Sequence, residues 1–93
     1  MPSPSPVSEA AQTLGARVRA RRGDLRKSQE QLADACGLHW TFVGQIERGR
    51  RNLSLHNILK IAAGLQVDPG ELVRGLRPPS DTFCDVSGGS PEE

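Results

Sequence analysis

The chain has few aromatic residues, few cysteines and no long apolar run, and the last two features exclude classes of protein. Tyrosine is absent from its 93 residues, and the aromatic side chains are Trp40, Phe42 and Phe83. The two cysteines, Cys36 and Cys84, form no C-x-x-C motif, and a disulfide framework in a small domain needs more cysteines. No stretch of about 18 apolar residues occurs, so we expect no membrane-spanning helix. What remains is a short chain with room for one compact domain.

Patterns typical of enzymes and metal sites are missing as well. The sequence contains no glycine-rich phosphate loop, no nucleophile elbow and no cluster of carboxylates, and a domain this small has little volume for a substrate cavity. Candidate zinc ligands would be Cys36, His39, His56 and Cys84. Their spacings match no common zinc finger, and Cys36 lies in an apolar stretch that predicts a core position. We therefore expect no enzymatic activity, no cofactor, no metal and no small-molecule substrate.

The net charge of +1 conceals an uneven distribution. From residue 80 onward there is no lysine or arginine, and the acidic residues there are Asp81, Asp85, Glu92 and Glu93. Residues 1–79 contain 12 basic and 7 acidic residues and therefore carry +5. This moderately basic body suits a polyanionic partner, although many ordinary domains reach the same charge. The composition predicts a disordered Pro/Ser-rich arm at 1–7, a domain at 8–77 and a disordered acidic tail at 78–93.

Short helices with clear start and stop signals fill the first half of the predicted domain. Ser8 can begin a helix whose apolar stripe consists of Leu14, Val18 and Leu25. Residues 28–31, Ser-Gln-Glu-Gln, form a capping box that begins a second helix. Gly37 is expected to end this second helix in a left-handed conformation.

The second half of the domain has the same kind of pattern. A third short helix is predicted over about 39–48, a fourth from Ser54 to Gly64, and a fifth beginning at Asp68. The N-terminus lacks the basic start and apolar stretch of a signal peptide, so the expected compartment is the cytoplasm. No segment alternates polar and apolar residues with a period of two. The sequence therefore predicts an all-α fold of five short helices.

A capped short helix, a glycine turn and another short helix form the layout of a helix-turn-helix. The segments that carry it are 28–33 (SQEQLA), 37–39 (GLH) and 46–52 (IERGRRN). Over residues 10–76 the chain resembles the Xre/Cro-like (phage-repressor-type) helix-turn-helix family, and it is most similar to restriction–modification controller proteins. The resemblance implies a compact five-helix lambda-repressor-like domain with its helix-turn-helix at about 28–48. It also implies a nucleoid-associated, sequence-specific transcriptional regulator that binds double-stranded DNA as a homodimer on a near-palindromic operator.

The resemblance further assigns roles to individual positions. Side chains that match base-contacting positions in the major groove are Trp40, Thr41 and Gln45. Side chains that match phosphate-contacting positions are Gln29, Arg48, Arg50, Arg51 and Asn52. Arg22 and Glu47 match a structural ion pair between the first helix and the end of the third. The fourth-to-fifth helix region is expected to form the dimer surface, with the candidates Leu65, Val67 and Leu76.

Two positions in the third helix depart from the pattern of close relatives, and a third residue, Gly44, is unusual inside a helix. Trp40 stands where relatives usually carry arginine or another polar residue, and Phe42 where they often carry tyrosine. Either aromatic side chain could face DNA, the core or a protein partner. An apolar docking patch here would favour a protein-interaction module of the same fold, such as an antitoxin-type partner or adaptor. Gly44 costs about 1 kcal/mol relative to alanine inside a helix, so it either permits a close approach or is simply tolerated.

Overall fold

The computed structural model describes residues 6–78, and the regular structure in this range is helical. The helices in chain order are α1 (Glu9–Asp24), α2 (Gln29–Cys36), α3 (Trp40–Glu47), α4 (Leu55–Leu65) and α5 (Pro69–Val73). Within residues 6–78 there is no strand, and no helix is long and apolar enough to cross a membrane. The predicted all-α fold is confirmed. The predictions for 1–5 and 79–93, which include Phe83, Cys84 and the acidic residues after position 80, lie outside the described residues.

Every helix begins at a residue whose side chain accepts a hydrogen bond from the first turn. These N-cap residues are Ser8, Ser28, His39, Ser54 and Asp68. The predicted capping box is present, because Ser28 Oγ accepts from the Gln31 amide at 3.0 Å and Gln31 Oε1 accepts from the Ser28 amide at 2.8 Å. The predicted end of α2 at Gly37 is also confirmed, with φ at +72°. A Ser or Asp N-cap contributes about 1 kcal/mol, which helps to fix the boundaries of helices that are mostly too short to be stable alone.

The five helices enclose one apolar core. Its most deeply buried large side chains are Leu32, Ile46, Ile61, Leu65, Val18 and Val43. Leu14 is buried and Leu25 is half-buried, so the apolar stripe of α1 faces inward as predicted. Leu65 is fully buried in this core, so its assignment to a dimer surface is wrong. The other two dimer candidates, Val67 and Leu76, are half-buried and pack against the same core.

Gly64 does not end α4, in contrast to the prediction. The helix continues through Leu65 and ends at Gln66, which adopts the left-handed conformation with φ at +59°. Gly64 instead lies against α2, where a Cβ atom would overlap Sγ of Cys36. Glycine is therefore required here because α2 and α4 pack closely together. Cys36 is buried as predicted, and this burial raises the pKa of its thiol.

Two arginines of α1 hold the ends of the last two helices. Arg17 Nη1 donates to the carbonyl oxygen of Leu72 at 3.1 Å, and Arg21 Nε donates to the carbonyl oxygen of Leu65 at 3.0 Å. These carbonyl groups lie in the last turns of α5 and α4, where the helix dipole favours a positive charge. Part of the basic charge of α1 therefore serves to position α4 and α5.

The residues just before α1 contact the turn after α3. The Val7 amide donates to the carbonyl oxygen of Gly49 at 2.9 Å. Val7 is the last residue of the predicted disordered arm at 1–7, and its amide makes this backbone contact with the domain. Local composition could not predict the contact because its acceptor lies some forty residues away in the chain.

We expect Gly64→Ala to destabilise the wild-type protein but not a Cys36→Ala background. In the wild type the added methyl group meets Sγ, and overpacking of this kind costs about 1–3 kcal/mol. Without Sγ the methyl group has room, and alanine gains about 1 kcal/mol of helix propensity over glycine. Urea unfolding of the wild type, both single variants and the double variant measures this coupling. Equal effects of Gly64→Ala in both backgrounds would show that Cys36 is not the reason for this glycine.

Candidate nucleic-acid interface

The second and third helices form a helix-turn-helix that α1 supports from behind. α2 and α3 pack against each other across the turn at 37–39, and α1 packs against α3. α3 has only 8 residues, so its conformation and orientation depend on these contacts. Val43 and Ile46 are buried in the core. The opposite face of α3 is consequently available to a partner.

The backbones of α1 and α3 approach closely at Gly15. A Cβ atom on Gly15 would overlap the carbonyl oxygen of Ile46 and lie 2.8 Å from the carbonyl oxygen of Glu47. Backbone atoms of a helix cannot move aside as a flexible side chain can, so only glycine fits this crossing. The role of Gly15 was not predicted from the sequence. One sequence feature could have indicated this role. Gly15 lies inside a predicted helix, where glycine is unfavourable and therefore suggests a close contact.

The carboxylate of Glu47 joins three helices at one point. Arg22 of α1 donates from Nε to Oε2 at 2.6 Å and from Nη2 to Oε1 at 3.0 Å, and Gln29 of α2 donates to Oε1 at 3.1 Å. The Glu47 side chain is only 4% exposed, so these donors replace the water that the carboxylate has lost. The hydrogen bonds that Arg22 donates to the Glu47 carboxylate raise the pKa of Arg22 above its usual value. Arg22 also donates to the Lys27 carbonyl oxygen at 2.8 Å, which fixes the loop between α1 and α2.

The position of Gln29 explains a second glycine, at position 44. Gly44 is buried, and a Cβ atom there would lie 3.3 Å from Oε1 of Gln29. The glycine at position 44 therefore permits a close approach, as one of the two predictions stated. The neighbour that approaches it is the Gln29 side chain. Gln29 uses one amide hydrogen for Glu47, and its second amide hydrogen is left for another acceptor.

The first turn of α3 exposes a polar group beside an aromatic one. His39 Nδ1 accepts the Thr41 backbone amide at 3.2 Å and lies 2.7 Å from Thr41 Oγ1. Because Nδ1 is the acceptor for the amide, the Thr41 hydroxyl donates to it, and the oxygen lone pairs of Thr41 are left facing outward. Trp40 is 49% exposed and stacks on the His39 ring with centroids 6.1 Å apart. Trp40 is thus a surface residue.

Phe42 and Gln45 of α3 form a connected group with Arg51 of the following loop. Phe42 is half-buried and packs against the core. The Arg51 guanidinium lies over its ring, 5.2 Å from the centroid. Arg51 Nε donates to Gln45 Oε1 at 2.6 Å. The two aromatic residues of α3 therefore differ, because Phe42 supports a surface arginine while Trp40 faces solvent.

Basic residues flank the C-terminal end of α3. Arg48, Arg50 and Asn52 are all exposed. An open cleft of about 920 Å³ lies between α1 and the end of α3, and its charged lining consists of Arg19, Arg48 and Arg50 with Asp24 and Glu47. This side of the helix-turn-helix has the charge and the exposed donors that a phosphate backbone requires.

We expect Glu47→Gln to lower the free energy of unfolding by about 2 kcal/mol or more, because Arg22 would lose its charged acceptor. Glu30→Gln is the matched control, since Glu30 is exposed in the first turn of α2 and should change stability by less than about 1 kcal/mol. Arg22→Gln should cost less in the Glu47→Gln background than in the wild type. Urea unfolding followed by circular dichroism measures all of these variants. Similar losses in Glu47→Gln and Glu30→Gln would contradict a central role for the carboxylate.

Comparison with known proteins identifies relatives over the same segment. Residues 18–72 match the family described as "Helix-turn-helix". The control protein C.BamHI of Bacillus amyloliquefaciens is 48% identical over 61 residues, which cover 64% of this chain and 75% of the relative. The control protein C.SmaI of Serratia marcescens is 38% identical over 66 residues, which cover 69% of this chain and 79% of the relative.

Solved structures agree with these sequence relatives. The restriction–modification controller protein C.AhdI from Aeromonas hydrophila has a TM-score of 0.67 and 45% identity, covering 69% of this chain and 97% of that protein. The P22 c2 repressor, solved with a synthetic operator, has a TM-score of 0.64 and 33% identity, covering 69% of this chain and 97% of that protein. The family match extends over more than half of the chain, on the segment that forms the helix-turn-helix. The chain therefore belongs to the Xre/Cro-like helix-turn-helix family of DNA-binding transcriptional regulators.

Proposed function

We propose that the protein regulates transcription by binding a near-palindromic operator as a homodimer, with α3 in the major groove. The observation that carries this proposal is the outer face of α3. It presents Trp40, Thr41 and Gln45 on a helix that Glu47 and Gly15 hold rigidly against α1 and α2. A short helix held in this way can place its N-terminal residues on base edges. In this role the protein binds DNA and catalyses no reaction. It would then be found with the nucleoid in the cytoplasm.

Phosphate contacts would fix the position of the protein on the duplex. Arg48, Arg50 and Asn52 are exposed beside α3, and the free amide hydrogen of Gln29 lies at the start of α2. Helix N-termini and basic side chains bind phosphate oxygens in this arrangement. Such contacts carry no sequence information, but they make the affinity depend on salt.

Base contacts would come from the first two turns of α3. Thr41 offers an acceptor, because its hydroxyl hydrogen is directed to His39. Trp40 can pack against thymine methyl groups or sugars, but it cannot read guanine as an arginine does. We therefore expect the operator to differ from those of relatives with a polar residue at this position.

A dimer requires an apolar surface away from α3. Leu55 and Leu59 are 71% and 45% exposed on one face of α4, and Val73 of α5 is 39% exposed. With Leu65 assigned to the core, these side chains are our candidates for the two-fold interface. A two-fold arrangement places two recognition helices about 34 Å apart, one turn of DNA.

Fluorescence anisotropy tests DNA binding directly. The labelled duplexes are the DNA immediately upstream of the coding sequence and a scrambled version of it, measured across a salt series. We expect binding to the upstream duplex that is about 10³-fold tighter than to the scrambled one and that weakens with salt. Absence of binding to both duplexes at low salt would overturn the proposal and favour a protein partner docking on Trp40.

We expect Arg50→Gln to weaken binding to both duplexes alike. The slope of the logarithm of the binding constant against the logarithm of the salt concentration should become shallower by about one. Arg74→Gln removes the same charge just after α5, which packs on α1 and α4, and should have a smaller effect. Adding Arg51→Gln to Arg50→Gln should abolish DNA binding. If the double variant bound as tightly as the wild type, neither arginine of this loop would contribute to DNA binding.

The double substitution Leu55→Gln, Leu59→Gln should shift the protein to a monomer, because it removes the largest exposed apolar area of α4. Sedimentation equilibrium measures the mass, and anisotropy should show weaker operator binding. Val7→Gln is the control for the mass measurement, since Val7 is also exposed, at 53%, but lies just before α1 and not in α4. An unchanged dimer in the α4 variant would place the interface elsewhere.

A further inference from the structure

Arg51 folds back from the loop after α3 and makes two contacts with that helix. Its guanidinium carbon lies 5.2 Å from the centroid of the Phe42 ring, and its Nε atom lies 2.6 Å from Oε1 of Gln45. Stacking restricts the plane of the guanidinium, and the hydrogen bond restricts its rotation within that plane. The resemblance assigned Arg51 to phosphate, whereas its contacts are with a base-reading position.

The Phe42 ring supports the Arg51 guanidinium in a fixed position. It lies three residues before Gln45, so both side chains project from the same side of α3. Phe42 packs against the buried core, which prevents the ring from following a mobile arginine. Gln45 is half-buried, so its amide has limited freedom to turn. Phe42, Arg51 and Gln45 therefore form one unit, which we call the Gln45 clamp.

The chemistry of the clamp determines which amide atom faces the groove. Arg51 Nε can only donate, so the atom that it contacts must be the amide oxygen. The amide NH₂ of Gln45 is then directed away from Arg51, and the remaining N–H groups of Arg51 are also donors. We propose that Arg51 fixes the amide of Gln45 so that the clamp presents hydrogen-bond donors to the major groove and selects guanine. Guanine is the base whose major-groove edge has two acceptors, N7 and O6.

A free glutamine would have a different preference. It pairs with adenine by donating to N7 and accepting from N6. In the clamp, the acceptor is already bonded to a cationic side chain, and an approaching adenine amino group would meet further donors of Arg51. The inference rests on the proposed binding of α3 in the major groove, and it adds the identity of one base pair in each half-site.

The test begins with selection of duplexes from a random library by the wild-type protein and by variants. Gln45→Ala identifies the base pair read by residue 45, as the pair at which sequence preference disappears. We expect guanine at that pair for the wild type. Arg51→Lys keeps the positive charge but has no Nε and no planar group to stack on Phe42. It should therefore shift the preference toward adenine by about tenfold, while the other positions of the site stay unchanged.

A base analogue provides a second readout on the selected duplex. Replacing the guanine by 7-deazaguanine removes the N7 acceptor, and wild-type affinity should fall about fivefold or more. Arg51→Lys and Gln45→Ala should lose little further affinity on the same duplex. Phe42→Leu, which removes the ring under Arg51, should behave like Arg51→Lys if it folds. Circular dichroism establishes folding for each variant.

The outcomes separate this inference from the proposed function. Enrichment of no sequence by the wild type would overturn both. If the wild type enriches a site and Arg51→Lys prefers the same base at the pair read by Gln45, the clamp alone would be overturned. Arg51 would then be assigned to a phosphate contact. Adenine at the pair lost in Gln45→Ala would also overturn it. Guanine in the wild type, together with the shift in Arg51→Lys, would establish Arg51 as a positioning residue for Gln45.

Discussion

The buried carboxylate of Glu47 is the interaction on which the recognition helix depends. α3 is too short to be stable alone, and its last residue receives donors from α1 and α2 at distances of 2.6–3.1 Å. Because a buried carboxylate is costly unless it is paired and hydrogen-bonded, the energy favours one arrangement of the three helices. The same contacts direct the outer face of α3 away from the core. The network therefore connects stability to the geometry of DNA binding.

Close helix packing sets a second constraint, which acts through missing side chains. Gly15 allows the backbone of α1 to reach the carbonyl groups at the end of α3, and Gly64 allows α4 to reach Cys36 on α2. Both glycines lie within helices, where alanine would be favoured locally. The loss of helix propensity at each glycine is offset by tighter packing of the core, which is small because the chain is short. Both contacts join helices that are distant in sequence.

The sequence predicted what is local and missed what is tertiary. The Ser28–Gln31 capping box and the end of α2 at Gly37 depend on residues within a few positions, so the pattern sufficed. Leu65 was misplaced because an apolar residue in a helix can face either its own core or a second subunit. Gly64 was misread because a glycine near a helix end fits both a stop signal and a close contact. The family resemblance located the outer face of α3, but it could not show that Arg51 reaches Gln45.

Two polar side chains on the outer face of α3 are held by neighbours in the absence of DNA. His39 holds Thr41, and Arg51 holds Gln45. A side chain already fixed in one conformation loses less entropy on binding, so more of its contact energy remains for discrimination. In the proposed binding mode, fixing the direction of each hydrogen bond also decides which base edges are rejected, because a donor facing a donor is unfavourable. The face of α3 therefore has a set polarity, with an acceptor at Thr41 and donors one turn later at Gln45.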